Sequence, residues 1–133
     1  MLAGFGRQFG LDKETAVRLG RGLGMGLGLG LTCGAVSGAV MVLGLAAGPV
    51  QADDRGPRFR CYDQGALFAE RFMGRHGSLS CCDLMGVDMT TLDGRQQARD
   101  SGLFVKICPV LVQSAAEILE DMLAAGERGG EVG

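Results

Sequence analysis

The sequence predicts an all-α fold, a single small helical bundle around a central apolar Gly/Ala-rich helix. Three observations lead there. Two stretches, Tyr62–His76 and Pro109–Ala125, space their apolar residues at helical period. A third, Leu31–Ala47, is apolar on every side, as a helix enclosed by others is. No segment alternates apolar and polar residues as a half-buried strand would. The 133 residues allow one domain with one modest core, placed at residues 1–125, with 126–133 as a flexible C-terminal tail.

Each element has its own signals. Leu2–Phe9 reads as the end of a helix stopped by Gly10. Asp12 then starts a second helix through Lys13, Glu14 and Thr15, its carboxylate able to accept from first-turn amides. Val17 and Leu19 are its expected half-buried residues. Gly22, Gly24, Gly26, Gly28 and Gly30 alternate with Leu and Met. Each such Gly costs a helix ~1 kcal/mol relative to Ala, so this run is expected to be non-helical.

In Leu31–Ala47, Gly34 and Gly38 are four apart, as are Ala35 and Ala39, and residues at that spacing share a face. The smooth strip suits close approach of another backbone, from this chain or from a second copy in a homodimer. Residues 51–60, with Pro, Gly, Asp and Arg, read as a surface linker. In Tyr62–His76, Leu67, Phe68, Phe72 and Met73 are assigned inward and Glu70, Arg71 and Arg75 outward, with Gly77 closing the helix. A short element at Cys81–Met85 and a polar loop at Thr90–Asp100 follow. The last helix buries Leu111, Ala115, Ile118, Leu119 and Met122 and turns Gln113, Glu117, Glu120 and Asp121 to water.

Composition excludes some functions. A net charge of −2, without a basic stripe interleaved by aromatics, argues against a nucleic-acid binder. No charged residue lies between Gly22 and Ala52, and Ala52 resembles the end of an export signal. Against that, Leu31–Ala47 would be ~25 Å long, short of a ~30 Å hydrocarbon core. The leader would also carry Asp12 and Glu14. The expected location is therefore cytoplasmic, the alternative being a membrane-anchored or exported protein using residues 31–50. Five cysteines cannot all pair within one chain, which fits a reducing compartment with free or metal-binding thiols.

Three of those cysteines fall at expected helix starts. Cys33 opens the central helix, Ser80-Cys81-Cys82-Asp83 resembles a capping box, and Cys108 precedes Pro109, a residue suited to the first helical position. Helix N-termini present free amides and partial positive charge, which lowers a thiol pKa and makes sulfur a nucleophile and a metal ligand. The plainer reading of a lone Cys in an apolar helix is a small buried hydrophobe. Pro109 could alternatively kink one longer helix beginning near Leu103, removing Cys108 from the argument. Neighbouring Cys81 and Cys82 would be strained as a pair. Cys61 beside Arg58 and Arg60 reads as an incidental thiol, and His76 as a C-terminal helix charge. There is no CxxC, zinc-finger, P-loop or dinucleotide fingerprint.

The chain resembles the family of putative redox-active proteins with the C-GCAxxG-C-C cysteine pattern. The likeness covers most of its length. It rests on Phe9-Gly10-Leu11-Asp12, the Gly-rich approach, and Cys33-Gly34-Ala35-Val36-Ser37-Gly38 with its apolar continuation. Cys81-Cys82-Asp83-Leu84-Met85-Gly86 and Cys108-Pro109 followed by Ala115-Ala116-Glu117-Ile118-Leu119 extend it. The resemblance implies a small helical protein whose cysteines are redox-active or hold a metal centre. It places the family's later cysteines at Cys33, Cys81 and Cys108, with Cys61 and Cys82 as extras. The family's first cysteine would lie ahead of Met1, so either the site works with three thiols or an in-frame Cys codon lies upstream.

The expected function is thiol redox chemistry with oxidoreductase-like activity toward a redox partner protein. Cys33 attacks the oxidised partner and Cys81 or Cys108 resolves the mixed disulfide. The alternative is an iron–sulfur cluster or soft metal ion held by Cys33, Cys81, Cys82 and Cys108, or with His76 as a fourth ligand. No cofactor, substrate or electron donor is identified by the sequence itself.

Overall fold

The computed structural model describes residues 1–50 and 52–132, with side chains through Gly126. The fold is all-α, as expected, and among the described residues the only extended pairing is a lone antiparallel bridge between Thr32 and Ser80. Helix α1, Leu2–Phe5, runs into a 3₁₀ turn at Gly6–Phe9 that Gly10 ends in left-handed conformation. Helix α2, Lys13–Gly20, is capped by Asp12, which accepts from the Thr15 amide at 2.9 Å and the Thr15 hydroxyl at 2.6 Å. Those bonds, the hydroxyl first, hold the Asp12 carboxyl below the usual range. Ala16 is the buried residue of α2; Val17 and Leu19, expected to be half-buried, are exposed. This short helix touches the rest of the chain along a narrower face than its apolar residues suggest.

The glycine run is not an α-helix. After a 3₁₀ turn at Arg21–Leu23, Met25, Gly26, Leu27 and Gly28 all take positive φ, between 53° and 69°. A left-handed conformation costs an L-residue about 1–2 kcal/mol, so Met25 and Leu27 are held there by their surroundings. Two bonds do this: the Leu31 amide donates to the Gly26 carbonyl at 3.1 Å, and the Arg95 guanidinium donates to the Gly28 carbonyl at 2.6 Å. At buried Gly26 a Cβ would collide with the Leu31 backbone.

Helix α3, Gly34–Ala46, packs on α1, on α4 (Arg55–His76) and on α8 (Cys108–Val132), the central position expected of it. Val36, Ala39, Val42 and Leu43 meet Phe68 and Phe72 of α4 and Leu111, Ala115, Ile118, Leu119 and Met122 of α8. Arg75 of α4 donates to Ser114 at 3.2 Å and pairs with Glu117 at 2.8 Å, tying α4 to α8 at the rim. The small strip of α3 is used inside the chain. A Cβ on Gly34 would lie 2.6 Å from the Leu23 carbonyl oxygen, and one on Gly38 2.9 Å from the Met1 Cβ.

Several sequence expectations need correction. Helix α4 starts at Arg55, so most of the expected linker is its first turns. Pro57 is tolerated there because a first-turn residue has no helical amide bond to lose. Cys61 therefore lies on α4. Met73, assigned inward, is 46% exposed, while Phe68 and Phe72 fill the buried stripe. The expected loop at Thr90–Asp100 contains α6, Leu92–Asp100, with Thr91 accepting from the Gly94 amide at 3.0 Å. Only Gly94 and Ala98 of α6 are buried, too few to give an apolar period. Helix α5 is Cys81–Met85 and α7 is Leu103–Lys106. Helix α8 continues past Ala125 to Val132, through the segment expected as tail; Gly133 lies outside the described residues. No single helix among the described residues is long and apolar enough to cross a membrane.

Candidate functional site

Cys33 is placed by two local features. It is the N-cap residue of α3, and its amide donates to the Leu79 carbonyl at 2.8 Å. The Cys81 amide returns a bond to the Leu31 carbonyl at 2.6 Å. Together these make the Thr32–Ser80 bridge a small antiparallel clasp between the start of α3 and the start of α5. Cys33 stands opposite Leu79 and Cys81 opposite Leu31, so both cysteines fall on one face of the clasp as diagonal neighbours. Diagonal Cα atoms of such a pair lie ~7–8 Å apart. Disulfide-linked Cα atoms usually lie ~4.4–6.8 Å apart, closer than a diagonal pair stands.

Cys108 arrives from the other side. Helices α7 and α8 are nearly one helix, as the alternative reading of Pro109 had it, but they break at Ile107. The Ile107 amide bonds back to Leu103 at 2.8 Å and the next bond, Leu111 to Ile107, is at 3.1 Å. Pro109 has no amide to bridge the gap. Cys108 is thus the first residue of α8 rather than its cap. Its thiol donates to the Met85 sulfur at 3.9 Å, which anchors it beside α5.

Cys33, Cys81 and Cys108 line one cavity of about 480 Å³. The remaining wall includes Leu2, Leu23, Met25, Leu84, Phe104 and Leu111, and no lining residue among those described has a charged side chain. All five cysteines are free thiols. Cys81 is 8% exposed, and Cys33 and Cys108 are half-buried.

The electrostatics correct one expectation. Helix N-termini were to lower the thiol pKa values and make the pocket electropositive. At Cys81 burial wins: desolvation first, then the charges of Cys33, Cys108 and Cys82, push the thiol up to about 11. Burial also raises Cys108, with Cys33 again the neighbouring charge, against a lowering by its own backbone amide. Helix α5 has only five residues, so few aligned peptide dipoles oppose the cost of a buried thiolate.

The other candidates lie elsewhere. Cys82 turns from the cavity and accepts the Met89 amide at 3.3 Å, with Gly30 pressed against its sulfur. Cys61 lines a separate cavity with Arg60, Asp63 and Arg71. His76 packs its ring 4.7 Å from Phe72. Among the described residues no three His, Cys, Asp or Glu side chains stand close enough to hold a metal ion. Of the four cysteines in the alternative ligand set, Cys82 is the one that does not line the shared cavity. The expected capping box is also rearranged. Asp83 accepts from the Ser78 hydroxyl at 2.9 Å, and Ser78 in turn accepts the Ser80 amide at 3.0 Å.

Met85 and Arg95 were not singled out from the sequence. Gly86, left-handed at the end of α5, signalled the element that carries Met85, whereas nothing local pointed to Arg95 reaching back 67 residues. In comparisons with known proteins, a family model described as "Putative redox-active protein (C_GCAxxG_C_C)" matches residues 1–122. No curated protein and no solved structure matches the chain.

Proposed function

Because the chain belongs to the family described as "Putative redox-active protein (C_GCAxxG_C_C)", we propose that it is a thiol redox protein in which two of Cys33, Cys81 and Cys108 cycle between dithiol and disulfide. The supporting observation is that these three thiols, 48 and 27 residues apart in sequence, line one cavity while Cys61 and Cys82 do not. Cys33 is the attacking sulfur. It is half-buried, and burial raises the pKa of the Cys81 and Cys108 thiols that line the cavity with it. It attacks the oxidised centre of the partner. Cys81 or Cys108 then displaces the partner from Cys33, closing an S–S bond as the partner leaves with two electrons and two protons. The clasp joins the segments that carry Cys33 and Cys81, and the contact with Met85 holds Cys108 beside α5.

Differential alkylation with mass spectrometry tests this. The reduced chain, treated briefly with diamide, should lose two alkylatable thiols and yield a linked peptide pair that includes Cys33. A linkage through Cys61 or Cys82, or none, would contradict the assignment.

A further inference from the structure

One wall of the thiol cavity is a strap fixed at both ends and weakly held between them. At one end the Leu23 carbonyl sits against Gly34, where an added Cβ would meet its oxygen at 2.6 Å. At the other the Leu31 carbonyl accepts the Cys81 amide at 2.6 Å. Between these anchors, Gly24, Met25 and Gly26 line the cavity. Met25 packs against the buried cluster of Cys81, Met85, Met89 and Ala98, and a Cβ on Gly30 would lie 2.8 Å from the Cys82 sulfur, so the strap lies across α5. Its other side chains do little to hold it: Leu27 and Leu29 are 47% and 58% exposed. Among the described residues, the hydrogen bond that Arg95 donates to the Gly28 carbonyl is the one that reaches residues 24–30 from another element. The same guanidinium donates to the Met89 carbonyl at 2.8 Å, which ties the strap to the segment after α5.

We propose that residues 24–30 form a lid over Cys81, latched by Arg95, that opens between the anchored Leu23 and Leu31. Two opposed influences set its balance. Met25 and Leu27 take a conformation that L-residues resist, and release lets both relax. The Arg95 bond, charge-assisted and partly buried, acts the other way at comparable strength. Closed and open forms are then close in free energy, and moving segments are drawn from such weakly held parts of a fold. Gly24 is exposed, with nothing within 4 Å of where a Cβ would stand, and supplies one hinge. The lid does not depend on which thiols pair, so a Cys81 reached without it leaves the disulfide assignment untouched.

The test is the rate at which iodoacetamide labels Cys81 in the reduced full chain, read by peptide fragmentation and divided by the rate at Cys61 on α4. A lid exposes little surface as it opens, so the parent rate should barely rise with urea below the unfolding transition. Arg95→Met should raise the rate about tenfold or more, the factor that loss of a charge-assisted bond gives. Leu27→Gly, which relieves a left-handed residue whose side chain is exposed, should lower it roughly threefold or more. Cys81 labelling that follows urea with the full slope of global unfolding would overturn the lid, as would a normalised rate unmoved by Arg95→Met. An unchanged or faster rate in Leu27→Gly refutes it as well, and decides alone should Arg95→Met not fold.

Discussion

Gly34→Ala compared with Gly44→Ala isolates the contact that holds the site's entrance segment against the central helix. Both glycines lie in α3. At Gly34 an added Cβ meets the Leu23 carbonyl oxygen at 2.6 Å and its carbon at 3.1 Å; at Gly44 nothing lies within 4 Å. The obstacle at Gly34 is backbone, which cannot rotate away, and overpacking of this kind costs about 1–3 kcal/mol. Against it stands the gain of up to ~1 kcal/mol from replacing Gly by Ala in a helix. The net loss for Gly34→Ala is about 1–2 kcal/mol, while Gly44→Ala gains about 0.5–1 kcal/mol. At roughly 3–5 °C per kcal/mol for a chain of this size, the two variants should melt on opposite sides of the parent. Thermal and urea unfolding followed by circular dichroism, with reductant present, reads the difference. Gly34→Ala melting at or above the parent would refute the close approach of Leu23, and with it the wall that Leu23 gives the cavity.

Three other outcomes are expected. Arg95→Met removes the donors to Gly28 at 2.6 Å and Met89 at 2.8 Å, and urea midpoints should show a loss of roughly 1.5–3 kcal/mol, the scale of a charge-assisted bond; an unchanged midpoint would mean the left-handed turn holds itself. Cys81 has an ordinary value of 9.0 raised to about 11, so the folded state keeps its proton where the unfolded chain has lost it. Its contribution is complete below pH 9 and disappears as pH rises toward 11. Unfolding between pH 8 and 11 under reductant should therefore steepen in the parent relative to Cys81→Ala, and equal slopes would contradict the burial argument. Cys61→Ala and Cys82→Ala should retain the diamide-induced linkage that Cys33→Ala abolishes, as read by peptide mapping; its persistence in Cys33→Ala would displace Cys33 from the centre of the site.

The legible parts of the fold were those with strong local physics. The five-residue stripe of α8, the Asp12 cap and the apolar α3 follow from periodicity and side-chain chemistry that act within a few residues. The glycine run could be recognised as non-helical, but its left-handed form depends on Arg95, which only the folded chain brings near. Helix α6 was hidden because it buries little beyond Ala98. The three cysteines could be placed near helix starts from capping signals. Their shared cavity depends on the Thr32–Ser80 clasp and the Cys108–Met85 contact, both long-range. At Cys81 the electrostatics ran against expectation because a five-residue helix end is a weak counter to burial.

Phenylarsine oxide, which bridges two nearby thiols without oxidising them, measures the central arrangement directly. The reduced chain should retain one phenylarsenic group, protecting Cys33 together with Cys81 or Cys108 from alkylation and leaving Cys61 and Cys82 reactive. No retained arsenic, or arsenic bound through Cys61 or Cys82, would contradict a cavity shared by the three sulfurs.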